Sequence, residues 1–251
     1  MLYYFLTTSF TPLDLKIFPQ MSFQQLKALL DENLSPKDQV AFRDYLFYID
    51  LKNVKSLLAE KPIDPRGFFS EKELREALLV QEDIPEYMQD FLQKFADKEM
   101  RLRHFTSLYA QFFRQERKGF LQKYFSWQRE LRLVITALRA KKWGKDLTSE
   151  LQFEEVGDPF AMHLLAQKDA KELDVPERYA PVKALFQKYI NQPKELEKQL
   201  LIYQLQVVEE FEEGRPFSVD AVLGYAARLY LIESWWMLDE ANGKTALKHI
   251  V

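Results

Sequence analysis

The stretch RELRLVITALRAKKWGKDL, residues 129–147, decides the fold class because its apolar residues repeat at the spacing of an α-helix. Leu131, Ile135 and Leu138 lie three or four residues apart, with Val134 beside them, and residues at this spacing share one helix face. The stretch predicts a helix that packs by its apolar face and presents its basic residues to a partner. Those basic residues are Arg129, Arg132, Arg139, Lys141, Lys142 and Lys145.

The composition favours helices along the rest of the chain. The 251 residues include only 7 glycines, well under the usual share of about 7%. Few glycines argue against a β-rich fold with many tight turns and against glycine-rich phosphate loops. The chain has no cysteine, which excludes disulfides, thiolate metal ligands and a cysteine nucleophile.

Helix-start signals divide the chain into eight to ten predicted helices and give an all-α fold class. A Ser followed three residues later by Gln or Glu is a capping box, and Pro favours the first helical position. Gly144 is placed to end the helix of residues 129–143. The start signals are Ser22 with Gln25, Ser35 with Pro36, Ser70 with Glu73, Asp158 with Pro159, Pro193 and Ser218.

The predicted organisation is a single all-helical domain over residues 1–251 with three candidate lobes. The N-terminal YYFL is expected to be a short extended segment. Lys98–Trp143 is expected to be either a helical hairpin or one long helix, bent or broken at Gly119, and the long helix is favoured because Lys-Gly is a poor loop between two helices. The helix that opens at Pro193 is expected to stop at Gly214, and the last helix by Gly243. The candidate lobes are residues 1–66, 67–145 and 146–251.

A faint internal repeat accompanies this pattern. DLKNVKSLLAEK, residues 50–61, aligns without gaps with ELRLVITALRAK, residues 130–141. Two unrelated amphipathic helices share such Leu and Val periodicity easily, so chance similarity and duplicated helical units both remain open.

Charge is distributed very unevenly. Residues 98–145 carry a net charge of +10, between an N-terminal flank of −5 and a C-terminal flank of −8. Such a field influences the choice of partner more than the fold. Basic residues interleaved with aromatic ones are typical of nucleic-acid binding, but the sequence pI near 5.8 opposes it. Nucleic acid, a membrane surface and an acidic protein, including the chain's own acidic flanks, remain open as targets.

Catalytic motifs are missing from the sequence, and we expect no catalytic, metal-binding or cofactor-binding residue. His104, His163 and His249 lie far apart without ligand-spaced neighbours. The acids of Glu209–Glu213 are expected to form a solvated face. However, acids at a helix C-terminus oppose the macrodipole, which predicts a nearby cation: Arg215 or the basic residues of 129–145.

Adjacent residues on a helix cannot both face one core, so one of Trp235 and Trp236 is expected to contact a partner or a second lobe. The chain start lacks the basic region of a signal peptide, and no apolar run reaches the ~18 residues of a membrane span. These features predict a soluble, cytoplasmic protein.

Several stretches together resemble a known family. FSWQRELRLVITALRAKKWGKDL at residues 125–147 is similar to a stretch of a central-stalk family of V-type ATP synthases, the C-type (d-type in eukaryotes), except that Leu133 replaces its usual Asn. The other matching stretches are YYFLTTSFTPL at 3–13, SPKD at 35–38 and PFSVDAVLGYAARLYLIESWWMLDEANGK at 216–244.

The resemblance implies a funnel-like, non-enzymatic central-stalk component built from duplicated helical units. Such a component links the central shaft, formed by D-like and F-like proteins, to the membrane rotor ring and transmits torque. It contacts the inner face of the cell membrane only through the complex. The expected interface comprises Arg129, Arg132, Arg139, Lys141, Lys142 and Lys145, with Trp235 or Trp236 second. A helical nucleic-acid-binding or adaptor protein that uses residues 98–145 is the alternative.

Overall fold

The computed structural model describes residues 2–212 and 216–238 and confirms the all-α fold class. Within these ranges the chain forms thirteen α-helices and one short 3₁₀-helix, with no strand. The chain divides into two compact units that interleave along the sequence. The lobes 1–66, 67–145 and 146–251, the funnel-like shape and the duplicated units stay predictions.

Unit 1 comprises Met1–Ser35, Lys118–Gln152 and Gly157–Val251. Its core lies where α8 contacts α12 and α13, and the fully buried Trp127, Val134, Val208 and Val222 fill it. The helices of unit 1 are α1 (Tyr4–Thr8), α2 (Phe23–Asn33), α8 (Gly119–Trp143), α9 (Leu147–Glu150), α10 (Pro159–Leu165), the 3₁₀-helix (Glu177–Tyr179), α11 (Ala180–Tyr189), α12 (Pro193–Glu212) and α13 (Val219–Leu238).

Unit 2 comprises Pro36–Arg117 and Phe153–Val156. Aromatic rings dominate its core: Tyr48 stacks on Phe112 with ring centroids 5.6 Å apart, and Tyr87 meets the same ring edge-on at 6.0 Å. The helices of unit 2 are α3 (Pro36–Leu58), α4 (Glu71–Val80), α5 (Glu86–Lys94), α6 (Lys98–Arg103) and α7 (Phe105–Arg114).

Local sequence signals set many helix ends as predicted. Ser22 with Gln25, and Ser70 with Glu73, form reciprocal capping boxes at α2 and α4. Gly144 ends α8 in the left-handed conformation, φ 64°, where its N–H donates to the Ala140 carbonyl. The predicted stops at Gly214 and Gly243 lie outside the described residues. No helix in the part of the chain that the structure describes is both long and apolar enough to cross a bilayer.

Two sequence predictions need correction. The N-terminal segment is helical rather than extended, because the Thr7 and Thr8 hydroxyls donate back to carbonyls one turn earlier and Leu6 is buried. Lys98–Trp143 has two breaks rather than the one predicted at Gly119: residues 115–118 lie outside any helix just before Gly119, and α6 and α7 are separated at His104.

The start of α8 at Gly119 depends on a residue far along the chain. Gly119 has φ +60°, a conformation that favours glycine. The next N–H, that of Phe120, donates to the Asp220 carboxylate of α13 over 2.9 Å. A Cβ at Gly119 would lie 2.5 Å from the same carboxylate oxygen. The glycine therefore allows a side chain of α13 to cap α8.

Candidate partner-binding site

The predicted basic helix exists as the C-terminal half of α8, and its apolar face is buried as expected. Leu131, Val134 and Leu138 are at most 6% exposed, while Ile135 is half-buried. Leu133 is fully buried as well, so apolar residues cover more of the helix than the predicted stripe. Burial of this face fixes which basic side chains remain at the surface.

The first predicted cation, Arg129, pairs within unit 1 itself. The Arg129 guanidinium lies 3.0 Å from the Asp158 carboxylate at the start of α10, and both side chains are largely buried. Burial raises the pKa of Asp158, but hydrogen bonds from Arg129 and the Ala161 N–H outweigh it and hold the pKa below its usual value. Arg132 is half-buried. Arg129 therefore offers little charge to an outside partner.

Two further charged residues of the helix also have partners inside unit 1. Glu130 accepts a hydrogen bond from the Tyr179 hydroxyl over 2.6 Å. The Lys141 ammonium donates to the backbone carbonyls of Lys168 and Ala170, at 2.5 and 2.7 Å. Lys141 thus secures the segment after α10 against the end of α8.

The remaining cations lie within four residues of an exposed tryptophan at the end of α8, and we call this surface the basic patch: Arg139, Lys142, Trp143 and Lys145. Trp143 is 57% exposed, and Arg139 and Lys142 are exposed beside it. Arg139 and Trp143 are four residues apart, which places them on one helix face. Lys145 makes a long ion pair with Glu150 at 3.5 Å and stays 62% exposed.

The sequence prediction included the cations but missed Trp143. The sequence does indicate that Trp143 is exposed, since it follows two lysines and precedes a helix-ending glycine, with no apolar residue directly beside it. Tryptophan and arginine are enriched at protein interfaces, and a few such residues carry most of the binding energy. Trp143 is therefore the central side chain of the candidate site.

Trp235 and Trp236, the second predicted interface, are both half-buried within unit 1. The Trp236 ring meets Phe18 edge-on with centroids 5.8 Å apart. Trp235 lines a cavity with Pro193 and Lys198 at the start of α12. Each tryptophan has its own neighbours, and their contact with a partner stays a prediction.

A cation is present near Glu209–Glu213 as predicted, but in the described residues it comes from α13 and not from the basic residues of 129–145. Arg228 of α13 forms a bidentate ion pair with Glu212, at 2.8 and 2.9 Å, and lies 3.7 Å from Glu209. Burial still outweighs Arg228 and raises the pKa of Glu212. The sequence could not indicate Arg228 because it is 16 residues away on another helix. Glu213 and Arg215 lie outside the described residues.

Apart from the exposed Trp143, the aromatic residues of the basic middle are buried or half-buried in the two units. Phe112, Tyr124, Phe125 and Trp127 are at most 1% exposed. Their rings therefore offer no surface on which a base could stack.

The histidines occupy separate places. His104 stacks on the Phe95 ring at 4.7 Å, and His163 contacts the Gln167 amide at 3.3 Å. His249 lies outside the described residues. Between residues 2 and 238, leaving aside 213–215, no three His, Asp or Glu side chains are grouped to hold a metal ion.

Comparison with known proteins gives one family and several relatives. The family model described as "Protein of unknown function (DUF2764)" matches residues 1–251. An uncharacterized protein of Chlamydia trachomatis is 27% identical over 93% of this chain and 91% of its own. An uncharacterized protein of Chlamydia pneumoniae is 28% identical over 99% of this chain and 97% of its own. No solved structure matches the chain significantly.

The resemblance to the C-type central-stalk family of V-type ATP synthases is wrong, because neither the family model nor the chlamydial relatives point to it. The residues on which it rested are mainly Leu, Val, Ala, Arg and Lys at helical spacing, which amphipathic basic helices share in general. The match of the family model over the whole length decides the matter: the chain belongs to the DUF2764 family, proteins of unknown function.

Proposed function

We propose that this chain is a non-enzymatic helical adaptor that binds an acidic protein through the basic patch. One observation supports this most strongly: Trp143 is 57% exposed at the C-terminal end of α8, where the nearby Arg139, Lys142 and Lys145 are also exposed. An exposed tryptophan is costly to leave in water, and a partner that covers it gains a large contact area. Arg139, Lys142 and Lys145 favour a partner whose contact surface is negative.

The rigidity of the site supports the same proposal. α8 is anchored by its buried apolar face, by the Arg129–Asp158 ion pair and by the Lys141 contacts to two carbonyls. The basic patch is therefore held in one position before a partner arrives. Preorganisation of this kind lowers the ordering cost of association.

Nucleic acid is the less favoured target of residues 98–145. Arg129 has an acidic partner within unit 1, and in unit 2 the Arg117 guanidinium pairs with Asp44 at 2.6 Å. The aromatic side chains Phe112, Tyr124, Phe125 and Trp127 are buried. A nucleic-acid complex would weaken steeply with salt, which a titration with single-stranded RNA at several salt concentrations measures.

The coupling role in a V-type ATPase, with the D-like and F-like shaft proteins and the rotor ring as partners, no longer has a family likeness to support it. The coupling role is therefore only a second candidate. A location in the cytoplasm at the inner face of the cell membrane is a proposal of the same standing. Recovery of shaft or ring proteins with the tagged chain would be specific support for that role.

The patch should lose its partner when its charge is reversed. We expect the Arg139/Lys142/Lys145→Glu variant to retain less than about a tenth of the partner that the unaltered chain captures, because hot-spot losses of 2 kcal/mol or more are typical of such centres. Trp143→Ala should reduce capture comparably. Affinity capture with quantitative mass spectrometry measures both.

The matched control reverses three exposed lysines elsewhere in unit 1. Lys16/Lys123/Lys188→Glu makes the same charge change at exposed lysines outside the patch and should leave capture unchanged. Equal losses in both triple variants would show that only net charge matters and would contradict the proposal. Circular dichroism of every variant verifies that the helices are retained.

A further inference from the structure

Unit 2 carries a second surface of opposite character, which we call the acidic groove: Phe68, Ala77, Val80, Glu76, Glu82 and Asp83. These residues line a cavity of about 350 Å³ beside α4. Ala77 and Val80 are three residues apart, and Glu76 and Val80 are four apart, so they share one face of α4. The groove thus combines an apolar floor with a negative rim.

The floor is aromatic and partly open to solvent. Phe68 is 38% exposed, and its ring packs on Phe69 and Phe47 with centroids 4.9 and 5.3 Å apart. Val80 is 54% exposed at the end of α4. Phe69 is buried, so its contact with Phe68 anchors the floor in the core of unit 2.

The rim carries negative side chains next to the C-terminus of α4, where further negative charge is unfavourable. Residues 70–86 carry six acidic and two basic side chains, a net charge of −4. Gln81 ends α4 in the left-handed conformation at φ 61°, and Asp83 follows at φ 58°. This turn places Glu82 and Asp83 just past the C-terminus of α4, where the helix macrodipole is also negative. A cation supplied from outside would relieve that repulsion.

We propose that the acidic groove binds a basic amphipathic helix of a second protein. An apolar side chain of that helix fills the cavity over Phe68, and its Lys or Arg side chains pair with Glu76, Glu82 and Asp83. Helix-in-groove binding of this kind uses anchors at i, i+3 and i+4. The described residues contain no strand to which an extended peptide could pair. This surface lies in unit 2 and is independent of the basic patch.

A designed peptide tests the groove directly. The probe is a fluorescein-labelled 18-residue peptide of Leu and Lys with an apolar stripe at helical spacing, and its binding is followed by fluorescence anisotropy. We expect saturable binding that weakens at least about tenfold, typical of losing a central contact, in Glu76/Glu82/Asp83→Lys. A Val80→Gln variant, which removes the apolar contact without changing charge, should also weaken it. A Leu and Glu peptide with the same stripe should not bind.

Matched variants separate the groove from general attraction. Asp90/Glu116/Glu155→Lys makes the same charge change at exposed acids elsewhere in unit 2 and should bind as the unaltered chain does. The basic-patch variant Arg139/Lys142/Lys145→Glu should bind the Leu and Lys peptide as tightly as the unaltered chain does. This result distinguishes the groove proposal from the adaptor proposal. Equal weakening in both acid-to-lysine variants, no saturable binding of the Leu and Lys peptide, or binding of the Leu and Glu peptide would each overturn it.

Discussion

Asp50→Ala is expected to lower the free energy of unfolding of unit 2 by about 4 kcal/mol, because it strands several buried hydrogen-bond donors that each cost roughly 1–3 kcal/mol when unpaired. Asp50 is fully buried in α3. Its carboxylate accepts the Phe68 N–H at 2.8 Å and the Asn53 amide at 3.2 Å. The Phe69 N–H lies at 3.4 Å. The residue therefore organises the loop that precedes α4.

The neighbouring polar side chains already have partners, so none of them can replace the Asp50 carboxylate as the acceptor. Asn53 pairs with the backbone of Asp64 through both ends of its amide, at 2.7 and 2.9 Å. Arg66, 2% exposed, pairs with the Asp64 carboxylate at 2.7 Å. A Cβ at Gly67 would lie 2.0 Å from the Asp50 carboxylate. Gly67→Ala should consequently destabilise the same loop, since overpacking typically costs about 1–3 kcal/mol.

Urea unfolding followed by circular dichroism measures these effects. Asp90→Ala, at an exposed position of α5, is the matched control and should change stability by less than about 0.5 kcal/mol. Asp50→Asn keeps one acceptor and should be intermediate. If Asp50→Ala were as stable as the control, the carboxylate would not be the centre of this network.

Glu233→Ala is expected to destabilise unit 1 by about 3 kcal/mol, because it removes a buried charged acceptor and strands its donor. Glu233 is fully buried on α13, and its carboxylate accepts the Phe23 N–H at the first position of α2 over 2.6 Å. A carboxylate there also complements the positive end of the α2 macrodipole. Phe23 itself is fully buried and meets the Tyr230 ring edge-on at 5.8 Å.

The control for this helix anchor is Glu210→Ala, an exposed acid of α12, which should change stability by less than about 0.5 kcal/mol. Glu233→Gln retains the shape and one oxygen and should be less damaging than alanine. Thermal unfolding of the three variants compares them. A Glu233→Ala variant that unfolded at the temperature of the control would mean that Ser22 alone is sufficient to fix α2.

The features that the sequence predicted correctly depend on residues that are close together along the chain. The capping boxes at Ser22 and Ser70 and the end of α8 at Gly144 depend only on neighbours within one turn. The apolar face of α8 was equally readable, because helical periodicity reports burial. These features fix the all-α class without any tertiary information.

Features that depend on distant residues could not be predicted. Asp220 caps α8 across 100 residues, and Glu233 anchors α2 across 210. A cation near Glu212 was predicted, but the sequence did not indicate that it would be Arg228. The same limit explains the wrong family resemblance, since residue types at helical spacing describe a helix and not its partners.

The candidate site was predicted in part. All six cations of residues 129–145 lie on α8 or just beyond it, but only Arg139, Lys142 and Lys145 are exposed, close in sequence to the exposed Trp143. Which cations turn inward depends on Asp158 and on the carbonyls of Lys168 and Ala170. These acceptors follow α8 in sequence, and no local pattern connects them to it.

The most direct test of the adaptor proposal is site-specific photocrosslinking in the cells that make the protein. A photoreactive phenylalanine analogue replaces Lys142 in the basic patch or, as control, the exposed Gln122 at the start of the same helix. We predict a covalent adduct from position 142 to a protein with an acidic contact surface, and no such adduct from position 122. Adducts that are the same from both positions, or an adduct from position 142 to nucleic acid, would contradict the account.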